Sequence, residues 1–170
     1  VYGETKYKGE IAIRLSGCKH IILRTAWVFS EHGNNFFKTM LKLGKERDEL
    51  NIVSDQIGCP TYAQDIARAI KKIIPQLDNN EDKQGIFHYC GDIPCSWYTF
   101  AKKIFKTCEE FSYETPNSVN SIKTSQFPTP AIRPKFSMLN CEKIYSVYGI
   151  ETSDWQSAIK KVMKNTKLKA

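Results

Sequence analysis

Apolar positions recur at helical spacing in several stretches of the chain, and short apolar runs separate those stretches. Residues 3–16 read as a helix, with Ile11 and Leu15 on one face. HIILRTAWVF, residues 20–29, is an apolar, β-branched run of the kind buried in a parallel sheet. After polar HGNN, the residues Phe36, Phe37, Met40, Leu41 and Leu43 form the stripe of a helix at about 35–47. LNIVSD, residues 50–55, reads as a short strand. Thr61 and Gln64 have the T-x-x-Q spacing of a capping box. They predict a helix after Pro60 that buries Ile66, Ala67, Ile70, Ile73 and Ile74 and meets Pro75. LDNNEDKQG, residues 77–85, is a surface loop by composition, and GIFHYCG, residues 85–91, a further strand. Ser96 is placed to cap a helix carrying Trp97, Phe100, Ala101, Ile104 and Phe105. Residues 112–135 are rich in Ser, Thr and Pro, with SIKTSQF as a candidate strand. Short helices follow at about 140–147, stopped near Gly149, and at about 153–167, with Asp154-Trp155 as a helix start.

This alternation predicts an α/β fold, with two strand–helix units at the front and less regular α+β structure behind. A two-stranded parallel sheet has little stability by itself, so the sheet is expected to continue in residues beyond those given. The chain also starts at Val1 in mid-pattern and reads like part of a longer protein. Its 170 residues, 41% hydrophobic, suit one domain, or one domain and part of another, and argue against disorder. No membrane span or signal peptide is apparent.

The formal net charge of +7 invites a nucleic-acid reading, but the Lys and Arg residues are spread over the polar faces of helical segments. A solvated surface with a few cations on an anionic substrate fits better. Six cysteines, Cys18, Cys59, Cys90, Cys95, Cys108 and Cys141, lie scattered through helix and strand patterns without a CxxC. They are expected to be reduced thiols packed as small hydrophobes. His20, His32 and His88 are given no catalytic role.

Tyr2 and Lys6 spell Y-x-x-x-K at the start of the first helix, which puts phenol and ammonium on one face, a turn apart. A free tyrosine titrates near about 10 and is a poor acid at neutral pH. A neighbouring ammonium favours the phenolate and brings that value toward the range useful for proton transfer. The pair is competent to protonate an oxygen during hydride transfer, although the same spacing occurs by chance in many helices.

The blocks around it carry more information. In order, the chain shows YGETK, ILRTAWVFSEHGNNF, IVSDQIGCPTYAQDIA, GIFHYCGDIPCSWYTFA, PTPAIRPKFSMLN and DWQSAI. Over nearly its whole length this resembles the C-terminal part of the dTDP-4-dehydrorhamnose reductase family, extended short-chain dehydrogenases/reductases of dTDP-L-rhamnose synthesis. The resemblance implies the C-terminal part of a Rossmann-type doubly wound parallel sheet plus a smaller α+β substrate-binding domain. Residues 1–55 would hold the last Rossmann elements interleaved with substrate-domain segments. Residues 56–170 would be mainly substrate-binding domain, with some segments returning to the sheet.

For the whole protein, the resemblance implies reduction of the C4 keto group of dTDP-4-dehydro-6-deoxy-L-mannose by NADPH or NADH in the cytoplasm. Tyr2 would protonate the C4 oxygen, while Lys6 would hold the cofactor ribose and depress the tyrosine pKa. Trp27 would pack against the deoxysugar, unless it is a core or groove tryptophan. Asn35 would hydrogen-bond near the substrate, or simply cap the next helix. Gln56 would shape a substrate wall, or form only a turn with Gly58 and Pro60. Arg133 would pair with the diphosphate, or tie down its own proline-rich loop.

The family's Gly-rich pyrophosphate loop and its upstream catalytic Ser or Thr have no counterpart in these residues, so the chain alone is expected to be inactive. Ala26 stands where the family typically has Ser. Mg2+ enters by resemblance only, because some members carry it at a dimer contact; no carboxylate cluster here marks a metal site. A homodimer of the full-length protein is compatible with the resemblance. Two other readings stay open: a non-catalytic regulatory subunit like the methionine adenosyltransferase β subunit, and a sugar-nucleotide epimerase using the same Tyr/Lys pair.

Overall fold

The computed structural model describes residues 1–77 and 83–167; most of the loop expected at 77–85 therefore lies outside the described residues. In chain order the elements are α1 (Tyr2–Leu15), β1 (Ile21–Arg24), β2 (Val28–Phe29), α2 (Phe36–Glu46), β3 (Glu49–Val53), β4 (Ile57–Gly58) and β5 (Thr61–Tyr62). They continue as α3 (Ala63–Ile73), β6 (Gly85–His88), β7 (Cys95–Ser96), α4 (Trp97–Glu110), β8 (Ser118–Ile122), α5 (Glu142–Tyr148) and α6 (Trp155–Lys167). The fold is α/β, as the alternation implied. Strands β1 and β6, β2 and β5, and β3 and β8 pair in parallel, while β4 and β7 pair antiparallel.

Two apolar clusters hold these pairs together. The larger joins α2, α4 and α6 to β3 and to the β2–β5 pair, through Phe29, Phe37, Ile52, Tyr62, Phe100, Ile104 and Trp155. Here α6 contributes Ala158, Ile159, Val162 and Met163, all fully buried. Burying one such large side chain is worth about 1.5–3 kcal/mol, against helix-propensity differences of at most about 0.7 kcal/mol per residue. Packing, not propensity, therefore makes α6 a helix. The smaller cluster sets β1 and β6 against α3 and α5, with Phe87, Tyr89, Ala69, Ile73, Ile144 and Tyr148 inside.

Ser153 links the two clusters. Its hydroxyl donates to Asp65 Oδ2 at 2.8 Å and accepts from the Tyr62 backbone N–H at 3.2 Å, and its own N–H donates to the Cys90 carbonyl. Gly91 is needed at this junction, since a Cβ there would stand 2.1 Å from the Pro60 carbonyl oxygen.

Several sequence expectations need correction. Residues 20–29 do not form one buried strand: β1 ends at Arg24, and β2 begins at Val28 in a different sheet. Between them Trp27 adopts a left-handed φ of 50°, rare for a bulky residue. Long-range bonds hold that kink, from the Thr61 hydroxyl to the Ala26 carbonyl at 2.7 Å and from the Thr61 N–H to the Trp27 carbonyl at 3.1 Å. The same bonds explain why Thr61 caps nothing. Helix α3 starts at Ala63 with no side-chain cap. It buries only the line of Ala69 and Ile73, with Ile66 packed partly against the same cluster; Ala67, Ile70 and Ile74 are exposed. Further on, β8 lies mostly ahead of the SIKTSQF segment, and residues 124–126 form a 3-10 turn. The caps at Ser96 and Asp154 form as expected, each accepting an N–H from three residues on.

Candidate active site

A cavity of about 920 Å3 opens between α2, β3 and the segment after β8. Its walls are mostly apolar, with Phe36, Met40, Leu43, Ile52 and Trp97 among them. Polar groups at the wall include Gln56, Arg47, Glu49 and Arg133. Size and lining match a site for a small organic ligand fixed by a few polar contacts. Two guanidiniums against one carboxylate favour an anionic ligand, and Glu49 is already engaged by the Asn120 amide.

Gln56 is buried, and its Nε2 donates to Thr124 Oγ1 at 3.1 Å. Thr124 in turn gives its hydroxyl and its N–H to Asp55 Oδ1, at 2.6 and 2.8 Å. That bonding holds the Asp55 carboxyl below its usual range. The relay fastens the D-Q-I-G loop to the segment after β8. Two backbone bonds of 2.8 Å complete the join, from Ile57 N–H to the Lys135 carbonyl and from Ser137 N–H to the Ile57 carbonyl. Arg133 is thereby carried to the cavity mouth two residues before Lys135. It is exposed and makes no ion pair among the described residues.

Trp27 stacks on Trp97 with centroids 3.4 Å apart and planes within 8°. Trp97 faces the cavity and also touches Phe36, whereas Trp27 stands behind it, outside the cavity lining. Gly58 makes room for the indole: a Cβ there would lie 2.4 Å from Trp27 Cε2. Asn35 is also outside the lining. Its Oδ1 accepts from the Lys38 N–H at 3.2 Å, and its Nδ2 donates to the Ser30 and His32 carbonyls at 2.9 and 3.0 Å. It caps α2 and ties the 30–35 loop.

Tyr2 and Lys6 sit together on α1, the Lys6 ammonium 5.6 Å from the Tyr2 ring centroid, within cation–π range. No residue of α1 is buried, and Tyr2 is 78% exposed. A two-pronged ion pair anchors the helix, from Arg24 Nε and Nη2 to the two oxygens of Glu10 at 2.8 and 2.5 Å. The Arg24 guanidinium holds the Glu10 carboxyl below its usual range. Neither Tyr2 nor Lys6 lines the cavity. The structure thus joins Gln56 and Arg133 at one cavity, places Trp27 behind its wall, and sets the Tyr/Lys pair on a separate exposed face.

Sequence reasoning missed Trp97, Arg47 and the Asp55–Thr124 relay. Trp97 follows a capping serine, a pattern that marks the helix start but not which way the ring faces. Among the described residues, no group of three or more His, Cys, Asp or Glu side chains is placed to hold a metal ion. No described helix is long and apolar enough to cross a membrane.

Comparison with known proteins identifies the family of the chain. The family described as RmlD substrate binding domain matches residues 1–168. A dTDP-4-dehydrorhamnose reductase from Aggregatibacter actinomycetemcomitans is 46% identical over 164 residues, which cover 95% of this chain and 56% of that protein. A crystal structure of dTDP-4-dehydrorhamnose reductase from Bacillus anthracis in complex with NADP superposes with a TM-score of 0.85 at 35% identity. It covers 97% of this chain and 55% of its own. The Clostridium acetobutylicum ortholog also gives 0.85, at 38% identity, over 98% of this chain and 55% of its own. The chain thus spans a little over half the length of these relatives. Matched over this span in both sequence and fold, it belongs to the RmlD substrate binding domain family.

Proposed function

We propose that the protein carrying this chain reduces the C4 keto group of a dTDP-4-dehydro-6-deoxyhexose, dTDP-4-dehydro-6-deoxy-L-mannose, to give dTDP-L-rhamnose. The observation that carries this reading is the Tyr2–Lys6 pair on one helix face, within a chain 46% identical to a dTDP-4-dehydrorhamnose reductase. A nicotinamide cofactor, NADPH or NADH, supplies the hydride when bound. The exposed phenol and ammonium suit it, because both can hydrogen-bond ribose hydroxyls while facing a second ligand.

Tyr2 donates its phenolic proton to the C4 oxygen as negative charge develops there, and Lys6 stabilises the phenolate that remains. Arg133, at the mouth of a cavity with a second guanidinium at Arg47, pairs its planar fork with diphosphate oxygens. Gln56 forms a fixed polar point in the wall. Trp27 acts through the stack that it shares with Trp97, backing the ring that faces the cavity, and Asn35 acts through the loop that it caps. Residues around the smaller cluster belong with the nucleotide-binding sheet and those around the larger with the substrate lobe. We place the protein in the cytoplasm and assign no role to Mg2+.

The test uses the full-length protein with dTDP-4-dehydro-6-deoxy-L-mannose and NADPH, following loss of the reduced nicotinamide absorbance. One cofactor should be oxidised per sugar reduced. Tyr2→Phe should lower turnover by about 10²–10⁴. Arg133→Ala should raise KM while leaving kcat nearly unchanged. A changed sugar with no net cofactor consumption would instead identify an epimerase. Stable binding to a partner enzyme without sugar reduction would identify a regulatory subunit.

A further inference from the structure

We infer that Cys90 and Cys141 are a disulfide-forming pair, a reversible oxidation site that clamps the end of the segment carrying Arg133. All six thiols are free, but they occupy two kinds of surroundings. Cys95 and Cys108 sit alone among apolar side chains, and burial pushes each up to about 12. Cys90 instead lies with its sulfur 3.7 Å from that of Cys141, with Cys59 as a further thiol neighbour. Bond formation needs a closure of about 1.7 Å, from contact to the usual S–S length near 2.05 Å.

Exposure decides which sulfur reacts first. Cys90 and Cys59 are fully buried, whereas Cys141 is half-buried and lines a surface cavity of about 770 Å3 with Phe136, Met138 and Tyr145. A small peroxide can reach Cys141 there. The Cys141 thiol gives its proton to solvent, and its sulfur attacks one peroxide oxygen. The O–O bond breaks, leaving a sulfenic acid and hydroxide, which takes up a proton as water. The Cys90 sulfur then attacks the Cys141 sulfur; the S–O bond breaks, and the oxygen leaves as a second water. Two thiols are oxidised by two electrons, and one peroxide is reduced to two waters. The Cys90 thiol and burial hold the Cys141 thiol above its ordinary range, so oxidation begins from a small thiolate fraction and is slow. Cys90 suits the second step because its sulfur already lies 3.7 Å away.

The position gives the bond a consequence. Cys90 follows β6, and its thiol also reaches the Leu139 carbonyl at 3.5 Å. Cys141 closes the segment that begins at β8, lines the 920 Å3 cavity with Gln126, Phe127, Thr129 and Arg133, and pairs with Ile57 through residues 135–137. That pairing fixes the middle of the segment; a Cys90–Cys141 bond fixes its far end covalently.

The experiment exposes the folded, fully reduced protein with Cys18→Ser, which removes the exposed thiol able to cross-link two copies, to hydrogen peroxide. The product is alkylated under denaturing conditions and mapped without reductant. The expected result is loss of two alkylatable thiols, a Cys90 peptide joined to a Cys141 peptide, and full recovery with dithiothreitol. Amide exchange across 128–140 should be slower in the oxidised form. Cys141→Ser should leave Cys90 alkylatable; if that variant fails to fold, the peptide map and its reversal decide alone. Peroxide treatment that joins Cys90 to Cys59, or leaves Cys90 and Cys141 both alkylatable while other thiols oxidise, overturns the assignment.

Discussion

The helix that carries Tyr2 and Lys6 and the wall that carries Trp97 and Gln56 are anchored in opposite ways. Helix α1 buries no side chain, and among the described residues the Arg24–Glu10 ion pair ties it to β1. The cavity wall is continuous with the main core: Trp97 touches Phe36, Phe36 stacks on Phe100, and Phe100 meets the edge of buried Trp155. A ligand held by the wall meets a surface whose shape is set by dense packing. Tyr2 and Lys6 are placed instead by the helix that carries them and by the Arg24–Glu10 pair.

If that contrast is right, the largest effects on stability come from the wall. Trp155→Ala removes a side chain that is 1% exposed and whose Nε1 donates to the Ile93 carbonyl. It should cost about 3–5 kcal/mol in chemical denaturation. A cost below about 1 kcal/mol would mean that the wall is not an extension of the core. Gly58→Ala should cost about 1–3 kcal/mol through overpacking against Trp27. It should also disturb the Trp27–Trp97 stack and change the near-ultraviolet circular dichroism of the indoles. An unchanged near-ultraviolet spectrum would show that the stack does not depend on Gly58.

Changes on α1 should be nearly silent in stability. Tyr2→Phe, at a residue 78% exposed, should stay within about 0.5 kcal/mol of the parent despite its large effect on turnover. The smallest effect is the pH response of the anchor. Arg24 lowers the Glu10 pKa, so folding favours the carboxylate. The anchor's contribution is complete above the ordinary carboxylate value of about 4.3, and is lost as pH falls through the lowered value. A carboxyl-carbon NMR titration should find Glu10 below that ordinary value in the parent and near it in Arg24→Gln. Equal values in both proteins would remove the ion pair from the account.

The same contrast governs what could be read from the sequence. Local signals survived: the stripe of Phe37 and Met40, the cap at Ser96, the stop at Gly149 and the i, i+4 spacing of Tyr2 and Lys6 all rest on neighbours within a turn. The kink at Trp27 did not show, because neither Gly nor Pro marks it and Thr61, a distant residue, holds it in place. The T-x-x-Q pattern at Thr61 misled for the same reason, since its hydroxyl serves the Ala26 carbonyl. Gln56 and Arg133 were legible as candidates. Their meeting at one cavity depends on Thr124 and on the Ile57–Lys135 pairing, neither of which has a local signature.

Parallel pairing also sets a timetable for synthesis. Ile21 finds its partner in Gly85, and Glu49 in Ser118, 64 and 69 residues downstream. At roughly 5–20 residues per second, the β3 edge waits about 3–14 s on the ribosome before β8 is made. During that interval the exposed strand must stay out of other pairings. The alternating burial of Glu49, Leu50, Asn51 and Ile52 leaves Glu and Asn on the exposed face that lines the cavity, and those polar side chains discourage premature partners.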